Sequence, residues 1–281
     1  MDPVVFAAVL VAAACHAGWN AVIKFGLDPF STMALIAVAS MAVAVPLVPI
    51  VGFPSAASWP WLAGSLALHL AYFIGLTEAY RTGDMGQVYP IARGTAPLLT
   101  ALASYLLLGE DLGILGSSGI VVLVCGVVLV SVRGGRNLVR LDRRAVGYAL
   151  FTAVTICGYS LVDGIGARKA GSAHAYAVML FVFDGISMAV FALVRRGYAM
   201  IPAAARFWKG GLAGGTLSLA AYWIVIWAMT VAPIALVAAL RETSVLFGAA
   251  FAVVFLGEPL RPIRILAAVL IVAALALIRL H

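Results

Sequence analysis

Charged side chains are scarce in this chain, at 10% of 281 residues against 64% for hydrophobic ones. That scarcity excludes a soluble globular domain, whose apolar share is roughly 45–50%. The longest polar stretch, Arg133 to Arg144, is only a loop's length. Alternating polarity is missing as well, which excludes a β-barrel, because barrel strands switch between lipid and lumen at every residue. Cysteines number 3 (Cys15, Cys125 and Cys157), and all lie inside apolar runs. An odd count without metal-ligand spacing gives neither a disulfide framework nor a metal site, so they read as small packing residues. Catalytic signatures are absent too: no His-Glu-x-x-His, no Gly-x-Ser-x-Gly, no paired-aspartate metal motif, no phosphate-cradling loop. No catalytic residue, metal ligand or cofactor is therefore expected, and a membrane-embedded enzyme is the weaker alternative. Met1-Asp2-Pro3 offers no basic n-region and no cleavage site, so the first apolar segment reads as a retained helix.

What the chain does have is apolar runs longer than 18 residues, many times over, the mark of a polytopic helical membrane protein. Ten spans are expected near 3–24, 29–51, 58–80, 86–108, 112–132, 145–167, 173–194, 207–229, 233–256 and 260–280. Two stretches repeat at an offset of 148 residues: Arg93, Thr95, Leu98, Leu108, Gly109, Glu110 and Leu112 match Arg241, Thr243, Leu246, Leu256, Gly257, Glu258 and Leu260. Weaker matches join Gly18-Trp19-Asn20 to Gly158-Tyr159-Ser160, and Ala71-Tyr72-Phe73 to Ala221-Tyr222-Trp223. The expected fold is all-α and integral to the membrane. Residues 1–132 form one five-helix repeat, 133–144 a basic linker and 145–281 the second repeat. An odd number of spans per half inverts the second half against the first, the arrangement that supports alternating access around a central cavity.

Lys and Arg set the orientation. Thirteen lie in odd-numbered loops and three in the others, so the positive-inside rule puts the odd loops in the cytoplasm and both termini outside. The net charge of +7 is accounted for by these loops rather than by a nucleic-acid surface.

The apolar helix ending Leu108-Gly109-Glu110, its repeat ending Leu256-Gly257-Glu258 and the apolar helix after each resemble the drug/metabolite transporter superfamily in its ten-helix EamA-type branch. The resemblance covers essentially the whole chain and extends to the aromatic amino-acid exporters of the YddG type. It implies secondary transport, commonly export of amino acids or other small metabolites, across a bacterial inner membrane by a monomer whose partners are solute and lipid bilayer. A drug or sugar-conjugate carrier is the alternative within transporters, and a channel the alternative outside them. The family's habit of cytoplasmic termini stands against the charge bias read above.

The candidate site starts from two arginines inside apolar spans. A buried arginine costs roughly 2.5–3.5 kcal/mol on the lenient insertion scale, so Arg93 and Arg241 ask for a reason. Carboxylate recognition is one, since the guanidinium fork matches a carboxylate in bidentate fashion. Pairing with Glu242, Glu78 or Asp163 is the other, and both remain open. His16, Trp19, Asn20 and Ile23 share one face of span one. Tyr72 and Tyr80 in span three, Tyr89 in span four, Tyr159 and Asp163 in span six, and Tyr222, Trp223 and Trp227 in span eight complete the substrate-site candidates. Aromatic stripes of this kind also serve as core packing or interface belts. Of the buried acids, Glu78, Asp163, Asp184 and Glu242 could each relay a proton; equally, Glu242 and Asp163 could neutralise the arginines. His174 and His281 sit at span ends and carry no signal. Glu110 and Glu258 are expected to cap or pair at the interface. Gly210, Gly211, Gly214 and Gly215 predict a close helix approach, and Pro90 and Pro97 predict a loosened span four.

Overall fold

The structure is a computed structural model, and it describes residues 1–24, 28–82, 85–131, 142–256 and 262–280. Among these, nine helices are long and apolar enough to cross a membrane, and Gly113–Leu129 is a shorter apolar helix. The described elements are helices and their connections.

Several spans start where the sequence supplies a cap. Asp2 accepts from Val4 N (2.8 Å) ahead of α1 (Pro3–Lys24). Asp28 accepts from Ser31 N (3.3 Å) ahead of α2 (Pro29–Ala44), whose first residue is a proline lacking an N–H to satisfy. A short 3-10 turn and α3 (Val48–Val51) carry this span to Gly52, where φ is 75°. Then follow α4 (Trp59–Thr82), α5 (Met85–Leu108) and α6 (Gly113–Ser131). The second half opens with Asp142 capping α7 (Arg143–Lys169) and Ser172 capping α8 (Ala173–Arg196). A surface turn of helix, α9 (Met200–Arg206), leads to α10 (Trp208–Val231). The ninth span is split into α11 (Ile234–Arg241) and α12 (Ser244–Leu256), and α13 (Pro262–Leu280) ends the chain.

The ten spans pack mainly across the halves rather than within them. Span one (α1) lies on span eight (α10) and span three (α4) on span six (α7). A two-fold that swaps the halves exchanges these two pairs. Spans two and seven (α2, α8), five and ten (α6, α13) and four and nine (α5, α11) also pack together, and the same operation maps each pair onto itself. Two five-helix repeats therefore interdigitate into one body, with α5 and α11 adjacent near the centre. The predicted glycine approach is present: a Cβ on Gly215 would lie 2.7 Å from Ser40 N, and Ser40 Oγ donates to Gly215 O at 3.0 Å. Backbone contact of this kind replaces the hydrophobic drive that lipid removes.

The predicted weak point is corrected. α5 runs unbroken through Pro90 and Pro97, while span nine breaks at Glu242–Thr243 without any proline. There the backbone tightens to i→i−3 bonds: Glu242 N to Ala239 O (2.9 Å), Thr243 N to Leu240 O (3.0 Å) and Leu246 N to Thr243 O (2.8 Å). Thr243 Oγ1 adds a bond to Leu240 O at 2.7 Å. The break therefore falls at a charged side chain and a β-branched hydroxyl inside the span, not at a proline. A membrane helix tolerates proline where neighbours meet the backbone groups it frees.

Candidate functional site

Arg93 on α5 and Arg241 at the end of α11 meet around one carboxylate, Glu242. Arg93 Nε lies 2.8 Å from Glu242 Oε2, and Arg241 Nη2 lies 3.7 Å from Glu242 Oε1. All three are buried, at 6%, 3% and 1% exposure. The pairing reading thus holds for Arg93 with Glu242. Glu78 instead pairs with Arg81 (2.9 Å) and Arg195 (3.4 Å) at the far end of α4. Arg93 Nη2 also reaches His16 Nε2 (3.3 Å) and donates to Ser244 Oγ (3.3 Å), so spans one, four and nine are joined through it.

Arg241 has a different surround. Its guanidinium lies over the rings of Tyr159 (5.6 Å) and Tyr222 (5.8 Å), a stacked arrangement that suits a planar cation. Its buried Nε and Nη2 make no hydrogen bond among the described residues. Two guanidinium groups against one carboxylate leave this end of the cluster one positive charge in excess.

The remaining predicted residues fall around it. Trp19 Nε1 donates to His16 Nδ1 (3.3 Å), and Asn20 Nδ2 bonds back to His16 O (2.8 Å), so Asn20 is spent on its own helix. Tyr159 is the hub of an aromatic box. His69 stacks on it at 4.4 Å, with Tyr72 and Tyr222 edge-on at 6.0 and 6.1 Å. His69, Tyr72 and Tyr222 stay partly accessible in mid-span, with Tyr72 and Tyr222 also packed against the cluster of Ala96, Ala153, Ile156 and Tyr159. Trp223 turns away, donating to His174 Nδ1 at 2.8 Å near the start of α8. Trp227 packs against the core that holds Cys157 and Leu161. The side chains of Tyr80, Tyr89 and Ile23, together with Gly257, Glu258, His281 and most of the basic linker, lie outside the described residues.

Asp163 does not neutralise an arginine. It is fully buried on α7, and its two oxygens accept from Tyr176 Oη (3.0 Å) and Tyr222 Oη (2.5 Å). Sequence reasoning missed Tyr176, whose face of span seven holds one other aromatic, Phe183 seven residues on, a pattern that reads as packing. It also underrated His69 and His174. Asp184, the fourth acid, makes no side-chain hydrogen bond among the described residues and shares the field of His69 with Asp163.

Glu110 pairs, as expected, and its partner is Arg168. The two meet at 2.8 Å, and Arg168 also donates to Met229 O (2.9 Å) and Ala232 O (3.1 Å). Glu110 Oε2 accepts from Ile234 N at 2.9 Å. This knot ties spans four, six, eight and nine on the face that carries the chain termini, where Arg279 donates to Met1 O at 2.8 Å.

Comparisons agree with this architecture. The EamA-like transporter family matches residues 4–132 and 143–280. Over 80 residues the chain is 32% identical to the multidrug resistance protein EbrB of Bacillus subtilis (strain 168), and equally to EbrB of Bacillus atrophaeus. Those matches span 28% of this chain and 66% of the relative's length. A solved chain described as "Crystal structure of protein" superposes with a TM-score of 0.73, covering 99% of this chain and 96% of that one. At 18% identity that likeness is one of fold.

Proposed function

Because the chain belongs to the EamA-like transporter family, we propose that it is a secondary transporter of small organic solutes bearing a carboxylate, amino acids foremost, working by alternating access in a bacterial inner membrane. The observation that carries this reading is the guanidinium edge of Arg241, buried within span nine, with Nε and Nη2 free of hydrogen bonds among the described residues and the nearest carboxylate oxygen 3.7 Å from Nη2. A carboxylate meets such an edge with two parallel bonds. The single excess positive charge of the cluster favours an anionic group, and the rings of Tyr72, Tyr159 and Tyr222 supply an apolar wall for a side chain. All of these residues come from one chain, so a monomer suffices. Outward transport and termini outside the cell follow the resemblance to exporters and the loop charges, and reporter fusions at the C-terminus test the second.

The similarity to EbrB favours a second reading, efflux of drugs. An excess positive charge in the cluster is a poor receptor for a cationic drug, so the carboxylate reading stands first. Counterflow in proteoliposomes separates them. Labelled amino acids or simple carboxylates should exchange on the wild type and be lost on Arg241→Lys with folding intact. Exchange of a lipophilic cation, with none for any carboxylate, would overturn the proposal in favour of drugs.

A further inference from the structure

Asp163 is a carboxylate without a cation. Among the described residues every hydrogen bond to it comes from a neutral hydroxyl, and no basic group stands within ion-pair distance. Glu242, by contrast, sits between two guanidinium groups. An anion at zero exposure inside a membrane, with no counter-charge, is held more easily as the neutral acid. The groups facing Asp163 can be named helix by helix. α4 contributes His69, whose Nδ1 is engaged with Ser65 at 3.1 Å. α8 contributes Tyr176 and Asp184, and α10 contributes Tyr222. The arginines of α5 and α11 are engaged elsewhere, Arg93 with Glu242 and Arg241 against Tyr159 and Tyr222. On α7 itself Arg168 is occupied by Glu110 and two carbonyls, and the 3-10 turn Ala56–Ser58 contributes nothing titratable.

Tyr222 belongs to both centres. Its hydroxyl donates to Asp163 and its ring lies against Arg241. We propose that Asp163 is a proton-carrying site of the transport cycle, and that Tyr222 links its protonation to the binding of a carboxylate at Arg241. The inference rests on the proposed function and deepens it by adding the coupling ion. The proton comes from water, and an O–H bond forms on a carboxylate oxygen. The new acid then donates to Tyr222 Oη, which turns from donor to acceptor and frees its own hydrogen for the cavity. Its release to water restores the carboxylate; no other bond changes. With Asp163 neutral, the positive field at Arg241 is no longer offset, so a solute anion is held more tightly. By linkage the anion tightens the proton on Asp163 by the same factor. Asp163 lies six residues from the end of α7 at Lys169, about 9 Å along the helix at 1.5 Å per residue, so the proton has a short way to the termini face.

Two measurements test this. In proteoliposomes with an entrapped pH dye and benzoate as the anionic probe, wild-type affinity should rise as pH falls, by a factor in the range of roughly 5–150. Benzoate movement should carry protons. Asp163→Asn, fixed in the neutral form, should lose both the pH slope and the proton movement, and should bind as the wild type does at low pH. Retention of the slope in Asp163→Asn, or its transfer to Asp184→Asn, overturns the proposal. Infrared titration of purified protein needs no transport: a protonated-carboxyl band that Asp163→Asn removes supports the site, and a spectrum unchanged by Asp163→Asn refutes it. Absence of benzoate and amino-acid flux alongside that band would instead count against the proposed function.

Discussion

Arg93 and Arg241 occupy one position of a duplicated sequence and live in different surroundings. Arg93 is held by a 2.8 Å ion pair, a histidine and a serine from two other spans. Arg241 leans on two phenol rings, with its nearest carboxylate at 3.7 Å and two nitrogens unbonded. The difference comes from one residue: the neighbour of Arg241 is Glu242, where the neighbour of Arg93 is Gly94. A single carboxylate in one half serves the arginine of the other half best. Both charges are present in the duplicated position, but the symmetry of their partners is lost: one arginine is braced by an ion pair, and the other, under the proposed function, is the one offered to a ligand.

The largest expected effect comes from removing the shared partner. Glu242→Ala strands two buried guanidinium groups, and breaking a buried pair in this way costs about 3–5 kcal/mol. Thermal unfolding in detergent should fall steeply; an unchanged melt would break the comparison at its root. Next comes the contrast between the arginines themselves. Arg241→Lys keeps charge but loses the fork, removing about 1.5–3 kcal/mol of charge-assisted bonding to solute, roughly ten- to hundredfold in affinity. Arg93→Lys should act mainly on melting temperature and much less on affinity. If the two lysine variants behave alike, the division into brace and receptor is wrong. A smaller effect is expected of Tyr222→Phe, which keeps the ring beneath Arg241 and leaves a buried Asp163 oxygen short of one donor, at about 1–3 kcal/mol. Combining it with Arg241→Lys should give non-additive solute affinities, and strict additivity would deny that Tyr222 connects the two centres.

Much of the fold was legible because lipid imposes length: a span must be long, apolar and ended by a cap, and Asp2, Asp28 and Asp142 mark those ends openly. The break in span nine was hidden. Glu242-Thr243 is unremarkable in a list of residues, and only an ion pair from Arg93 across the bundle gives it a reason to interrupt a helix. Of the candidate site, the arginines and Tyr72, Tyr159, Asp163 and Tyr222 do converge, because stripes at helical spacing on repeat-related spans face inward together. Which acid serves which base was not legible. That depends on rotations of packed helices, and Asp163 found Tyr176 and Tyr222 where an arginine was the simpler expectation.

The knot at Arg168 makes the two membrane faces unequal before any solute. On the termini face, Glu110 is mostly buried at 11% side-chain exposure, and two of the bonds to Arg168 go to backbone carbonyls that no salt can displace cheaply. On the opposite face, Arg196 and Asp28 meet at 3.1 Å with 49% and 43% of their side chains exposed, and Arg195 reaches Glu78 at 3.4 Å. Surface pairs like these are screened within about 8–10 Å at physiological ionic strength, whereas partly buried ones are screened far less. Ionic strength should therefore act unevenly: added salt is expected to weaken the exposed Arg196–Asp28 pair first and the Glu110 knot, with its backbone carbonyls, last.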